Sequence, residues 1–145
     1  IATLLLCRDI SGLFYPFLDA RNAHHSASHH DESDEFERIT RYYVSQMAHL
    51  AQRLDAMPEG AGTVLDHSCL VWISNMWSGS KHDSTKVPLL TLGGLGGTLD
   101  TGRVIDYLDK SDEERKLCSF YLSIMDRIGV SLERFGDADN RLMGI

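Results

Sequence analysis

The sequence predicts an α/β domain in which helices pack on a mostly parallel sheet. The order of apolar patterns along the chain is strand, helix, strand, strand, helix. A strand joined through a helix to another strand favours a right-handed parallel unit. Composition agrees: 145 residues, 43% hydrophobic and 24% charged, suit one globular domain able to bury a core.

The elements follow in order. The opening IATLLLC, residues 1–7, reads as a buried strand, and the chain is therefore expected to begin inside a domain whose first part is missing. RDISGLFYPFLDARN is a mixed loop, and NAHHSASHHDES continues it. From Phe36 the apolar positions Phe36, Ile39, Tyr43, Met47, Leu50, Leu54 and Met57 recur at intervals of three and four, one face of an amphipathic helix. Asp31, Glu32, Ser33, Asp34 and Glu35 place capping groups and negative charge at its start, and PEGAG ends it. CLVWIS, residues 69–74, and VPLLTLGG, residues 87–94, are short buried-strand runs. Ser111 with Glu114 is a capping-box signature for a second helix, which carries Leu117, Phe120, Tyr121, Ile124 and Ile128 on one face before Gly129. The tail from Leu132 to Ile145 is unpatterned.

A formal net charge of -7 and a pI near 5.4 argue against a nucleic-acid partner, because phosphate neutralisation needs surplus lysine and arginine. No apolar run is long enough to span a bilayer, and the amino end lacks the order of a secretion signal. Cys7, Cys69 and Cys118 are odd in number and far apart, and each lies in an apolar segment; they read as core thiols and not as a disulfide framework or zinc knuckle.

The chemistry concentrates in NAHHSASHHDES. It holds four of the chain's seven histidines within seven consecutive positions. His25 and His29 are four apart, a spacing that puts both rings on one side of a helical or an extended backbone. Neutral imidazole is the commonest protein ligand for zinc, and two converging rings with one distant partner make an open three-ligand site. That partner is His82, in SNMWSGSKHDSTKVP; Asn75 and His82 would share the rim of the histidine loop if the flanking strands run parallel. Asp83 would act as a carboxylate that fixes a ring tautomer. His49 and His67 read as structural. The glycines of LGGLGGTLDTG lack the spacing of a phosphate loop and instead mark a tight turn or a close backbone approach. Ser26 and Ser28 have no assignable orienting carboxylate for a triad.

HSASHH, residues 25–30, fits the His-x-x-Ser-His-His signature of the HXXSHH family of bacterial proteins. TVLDHSCLVWISNMWSGSKHDSTKVPLLTLGGLGGTLDTGR, residues 63–103, resembles that family's second block, and RFGDADNRL, residues 134–142, resembles its end. The resemblance covers nearly the whole chain and makes residues 1–145 the carboxyl-terminal portion of a single longer domain. That family is in turn similar to the alkaline-phosphatase-like superfamily, whose phosphatases, sulfatases and phosphomutases bind two metals at strand ends. The resemblance thus implies a partial alkaline-phosphatase-like domain, with His25 and His29 as an early ligand pair and His82 as a late metal-binding histidine. Where those enzymes have Asp-His, this chain has Asn75-Met76, which puts a second metal site in doubt.

Two functions are therefore expected side by side. One is a metal-dependent hydrolase of phosphate, sulfate or related esters, small-molecule or polysaccharide, with a divalent ion, zinc by preference, on His25, His29 and His82. His30, Asp31, Asn75 and Asp83 would be outer partners or substrate-facing groups, and the nucleophile would lie in the missing amino-terminal part. The other is a non-catalytic, metal-stabilised binding or structural module of the same fold. A periplasmic or secreted location is implied by the resemblance alone.

Overall fold

The computed structural model describes residues 1–145, which form two compact units, Ile1–Met57 with Leu70–Thr91 and Pro58–Cys69 with Leu92–Ile145. In chain order the elements are α1 (His24–Ser28), α2 (Asp34–Asp55), β1 (Pro58–Glu59), β2 (Gly62–Thr63), β3 (Leu70–Ile73), β4 (Leu89–Leu92) and α3 (Leu117–Arg127). Single 3-10 turns sit at Pro16–Leu18, Leu95–Gly97 and Asp112–Glu114.

The expected α/β domain with a mostly parallel sheet is not what forms. β1 pairs only with β2 and β3 only with β4, as two small antiparallel ladders. The Ser74 N–H, donating to the Pro88 carbonyl at 3.4 Å, extends the β3–β4 ladder in that antiparallel sense. Two physical reasons account for the difference. The apolar run at residues 1–7 makes no strand, and Leu4 and Leu5 are 76% and 75% exposed, because a strand needs a neighbour for its backbone donors and acceptors and no other strand pairs with it. Without that strand, α2 does not cross between paired parallel strands. The link over residues 74–88 holds no helix and simply folds back, which serves an antiparallel pair.

In the first unit the core is built where α1 and α2 meet the chain before them. Tyr15, Ala20, Ala27 and Ile39 are buried together, with Leu18, Phe36, Tyr42 and Tyr43 packed against them. α2 starts as its sequence dictates: Ser33 Oγ accepts from the Phe36 N–H at 3.2 Å, and Asp34, Glu35 and Glu37 fill the first turn. The Glu35 carboxylate also accepts from the Arg21 and Asn22 backbone N–H groups and from Asn22 Nδ2, fastening the preceding loop to the helix start. Arg38 donates to the Leu18 carbonyl at 2.8 Å and to the Asp19 carbonyl at 2.9 Å. The apolar face is buried at Ile39 and Met47 but not throughout, since Leu50 and Met57 are exposed.

The histidine stretch, expected as loop, contains α1. His24 turns inward from it. Its ring meets Tyr15, Phe36 and Tyr43 with centroids 6.4, 6.1 and 5.7 Å away, and Nδ1 lies 3.4 Å from Cys7 Sγ. Cys7, like Cys69 and Cys118, is free and half-buried, so the thiols are not the core residues the sequence suggested.

The second unit is held differently. β1 and β2 form a hairpin whose turn is made by Gly60, at φ 60°, and Ala61. At Gly93 an added Cβ would lie 2.4 Å from the Ser68 carbonyl oxygen, so the glycine segment is a close backbone approach. The helix expected from Ser111 is interrupted. Ser111 N–H and Oγ donate to the Glu114 carboxylate, but Lys116 is extended and α3 starts after it. Ser119, Phe120, Leu122 and Ser123 are its buried residues. The tail without apolar pattern is bound through those serines. Ser119 Oγ donates to Asn140 Oδ1 at 2.7 Å, and the Leu142 N–H donates to Ser123 Oγ at 2.9 Å. Arg141 pairs with both oxygens of Asp126 at 2.7 and 2.9 Å.

The burial of His24 has a measurable effect. Desolvation, and secondly the nearby His25 charge, push its pKa below the ordinary imidazole value, while Asp9 opposes them. Between the lowered folded pKa and the unfolded one, the unfolded chain binds more protons, so stability should fall as pH drops through that window. An NMR titration should show the His24 ring charging later on acidification in the folded protein than in the urea-unfolded chain, and His24→Gln should flatten the acid limb of stability measured by urea unfolding.

Candidate metal centre

With His24 inward, helix geometry decides where its neighbours go. His25 and His29 are four residues apart, at α1 and its carboxyl-terminal cap, and share one side. Their rings meet edge to face with centroids 4.8 Å apart, and the two Nε2 atoms are 3.4 Å apart. His25 is oriented by its other nitrogen: Nδ1 lies 2.8 Å from the Asp9 carbonyl oxygen, which can only accept, so the proton sits on Nδ1 and the Nε2 lone pair faces His29.

His82 joins from the β3–β4 link. Its ring is 5.1 Å, centroid to centroid, from that of His29, which makes a chain of three imidazoles. Its backbone is left-handed, at φ 51°, and its side chain is exposed. No group of three or more His, Cys, Asp or Glu side chains has its donor atoms already gathered for one ion.

The turn before His82 is pinned against α1. At Gly79 an added Cβ would fall 2.4 Å from the Ser28 carbonyl oxygen, so only glycine fits that approach. On either side, Ser78 Oγ donates to Asp31 Oδ2 at 2.5 Å, and Ser80 donates to the same oxygen through N–H at 3.2 Å and through Oγ at 3.0 Å. Those bonds, Ser78 foremost, hold the Asp31 carboxyl down at about 2.

The remaining expected residues divide. His30, exposed, lines with His29, Asp31, Glu32, Ser33 and Ser80 an open cleft of about 430 Å³. Asp83 does not orient a ring: its Oδ1 accepts from the Thr85 N–H and hydroxyl at 2.9 and 2.6 Å, and these bonds lower its pKa. Asn75 is exposed at the start of the link, and its side chain makes none of the hydrogen bonds around the histidines. His49 is exposed, and His67 Nδ1 sits 2.9 Å from Glu59 Oε2. Sequence reading missed the Asp9 carbonyl, Ser78, Gly79 and Ser80. Only the run Ser-Gly-Ser carried a signal, that of a tight turn free to approach another backbone.

The assigned tautomer is directly testable. In chelator-treated protein, ¹⁵N–¹H correlation of the imidazoles should find the His25 proton on Nδ1, whereas free histidine favours Nε2. An Nε2-protonated His25 would mean that the Asp9 contact does not orient the ring.

Comparison with family models, curated proteins and solved structures finds no match to this chain.

Proposed function

We propose that this chain carries a divalent-metal site, suited to zinc, on His25, His29 and His82, and that the site belongs to a metal-dependent hydrolase of phosphate, sulfate or related esters. The observation that carries the reading is the 3.4 Å Nε2–Nε2 separation of His25 and His29. Two nitrogens bound to one tetrahedral zinc at about 2.0–2.1 Å stand about 3.3–3.4 Å apart, so the pair already has the separation that chelation requires. The Asp9 carbonyl, by holding the proton on His25 Nδ1, keeps one lone pair aimed at the shared position. His82 supplies the third donor on rotation, leaving the open position typical of catalytic zinc. A bound ion there would polarise an ester oxygen or activate water. The cleft beside it, with His30 exposed on its wall, gives room for a small ester or the end of a polysaccharide one. The resemblance to the HXXSHH family and the alkaline-phosphatase-like superfamily supports the same chemistry, and with it a periplasmic or secreted setting.

Asn75 supports a second reading, a metal-stabilised module without turnover. An exposed amide stands where the phosphatases carry a carboxylate ligand, which removes the partner a second ion would need.

Zinc titration by calorimetry, with cobalt(II) absorption as a spectroscopic check, tests the site. His25→Ala, His29→Ala and His82→Ala should each weaken binding by more than the roughly 10–100-fold lost when only an outer partner of a ligand is removed. Double variants should add little, while His49→Ala and His67→Ala should bind like the parent. Affinity should also fall on acidification, since protons compete for imidazole. If His82→Ala binds as the parent does while His25→Ala fails, the ion belongs to the local pair alone. Chelator-sensitive turnover of phosphate or sulfate esters separates the enzyme from the module.

A further inference from the structure

We propose that Asp31 is a positioning residue, a carboxylate latch that clamps the Ser78–Ser80 turn to the end of α1 and so delivers His82 to His29. The inference rests on the metal-site reading for its purpose and on the hydrogen bonds for its substance. One oxygen, Oδ2, takes all three donors from the turn: Ser78 Oγ at 2.5 Å, Ser80 Oγ at 3.0 Å and the Ser80 N–H at 3.2 Å. Asp31 lies two residues after His29, and His82 two residues after Ser80, so the latch joins the two segments one short step from the ring pair it aligns. Gly79, between the two serines, sets the depth: its Cα approaches the Ser28 carbonyl so closely that a methyl group would clash at 2.4 Å.

Nothing else in the turn does this work. The Ser78–Asp83 bridge and the Asp83 bonds to Thr85 are internal to the link and shape it without attaching it to α1. Lys81 N–H donates to Ser78 Oγ at 3.3 Å, which makes the turn a unit that moves together. His82, exposed and in a left-handed backbone conformation, has its ring beside that of His29. Released from Asp31, the turn would carry His82 away, and His25 with His29 would be left as a two-nitrogen site. Asparagine at position 31 keeps an acceptor oxygen but no charge for three donors, so it should weaken the latch; alanine should open it.

The experiment has a metal-dependent arm and a metal-free arm. In zinc titrations Asp31→Asn should lower affinity about 10–100-fold and Asp31→Ala more, as for loss of a ligand's outer partner. In a His82→Ala background neither should lower it further, since the latch acts only through that ring. Glu32→Gln, which removes a charge from the same cleft without touching the turn, should stay within about twofold of the parent. In chelator-treated protein, Asp31→Ala should speed Ser80 amide exchange at least about tenfold and erase the ring-proton cross-peak between His29 and His82. Gly79→Ala should erase that cross-peak too. An Asp31 effect that persists undiminished without His82 would overturn the proposal by making Asp31 itself a ligand. Unchanged exchange and an intact cross-peak in Asp31→Ala would overturn it by showing that the turn is held otherwise. If the parent protein binds no zinc, the metal-site reading fails, and the metal-free arm alone decides whether the latch exists.

Discussion

The His24 ring, set among Tyr15, Phe36 and Tyr43, fixes the rotation of a helix too short to hold itself. Five residues make barely one turn, and an isolated turn does not survive the cost of nucleation. What stabilises α1 is burial of two positions three apart, His24 and Ala27, against the start of α2. Once these face inward, His25 and His29 have no choice of direction. The placement of His25 and His29 thus follows from an imidazole whose burial disfavours its charge.

A second constraint is electrostatic. The segment after the histidines is rich in acids, and a carboxylate near imidazoles would ordinarily compete as a ligand or draw a proton onto a ring. Asp31 is occupied by serine donors, Glu35 by the Arg21 and Asn22 amides, and Asp83 by Thr85. Asp31, Glu35 and Asp83 are thus each engaged in fastening the loop or the link beside the cluster. The same residues that cap α2 and shape the link thereby keep the cluster purely imidazole.

Legibility from sequence was uneven, and the reasons are local. α2 was readable because Ser33 and its acids mark the start and Ile39 and Met47 keep the helical period; β3 and β4 were readable as short β-rich runs. The parallel sheet was not, because it depended on residues 1–7 finding a neighbour, and pairing is a property of two segments that one cannot reveal. The pairing direction of β3 and β4 was likewise invisible: a fifteen-residue link, 74–88, is long enough for either sense and contains no helix to decide it. His25 and His29 meet through the four-residue spacing read from the sequence, here on α1, whereas His82 joins them through a serine-flanked glycine and not through a rim shared by parallel strands. Asp83 bonds instead to Thr85, since a short acid two residues before a threonine finds its donors locally.

The seam between α3 and the tail of the chain has a consequence for how such a sequence can change over generations. Apolar packing tolerates drift, since one hydrophobe of similar size replaces another with modest loss. The buried hydroxyls of Ser119 and Ser123, paired with Asn140 and the Leu142 backbone, do not. Replacing Asn140 strands the fully buried Ser119 hydroxyl, whereas replacing Ser119 leaves the exposed Asn140 amide to water. Among descendants of this sequence, position 140 should therefore keep a hydrogen-bonding residue for as long as position 119 is serine, while the faces of α2 wander one residue at a time.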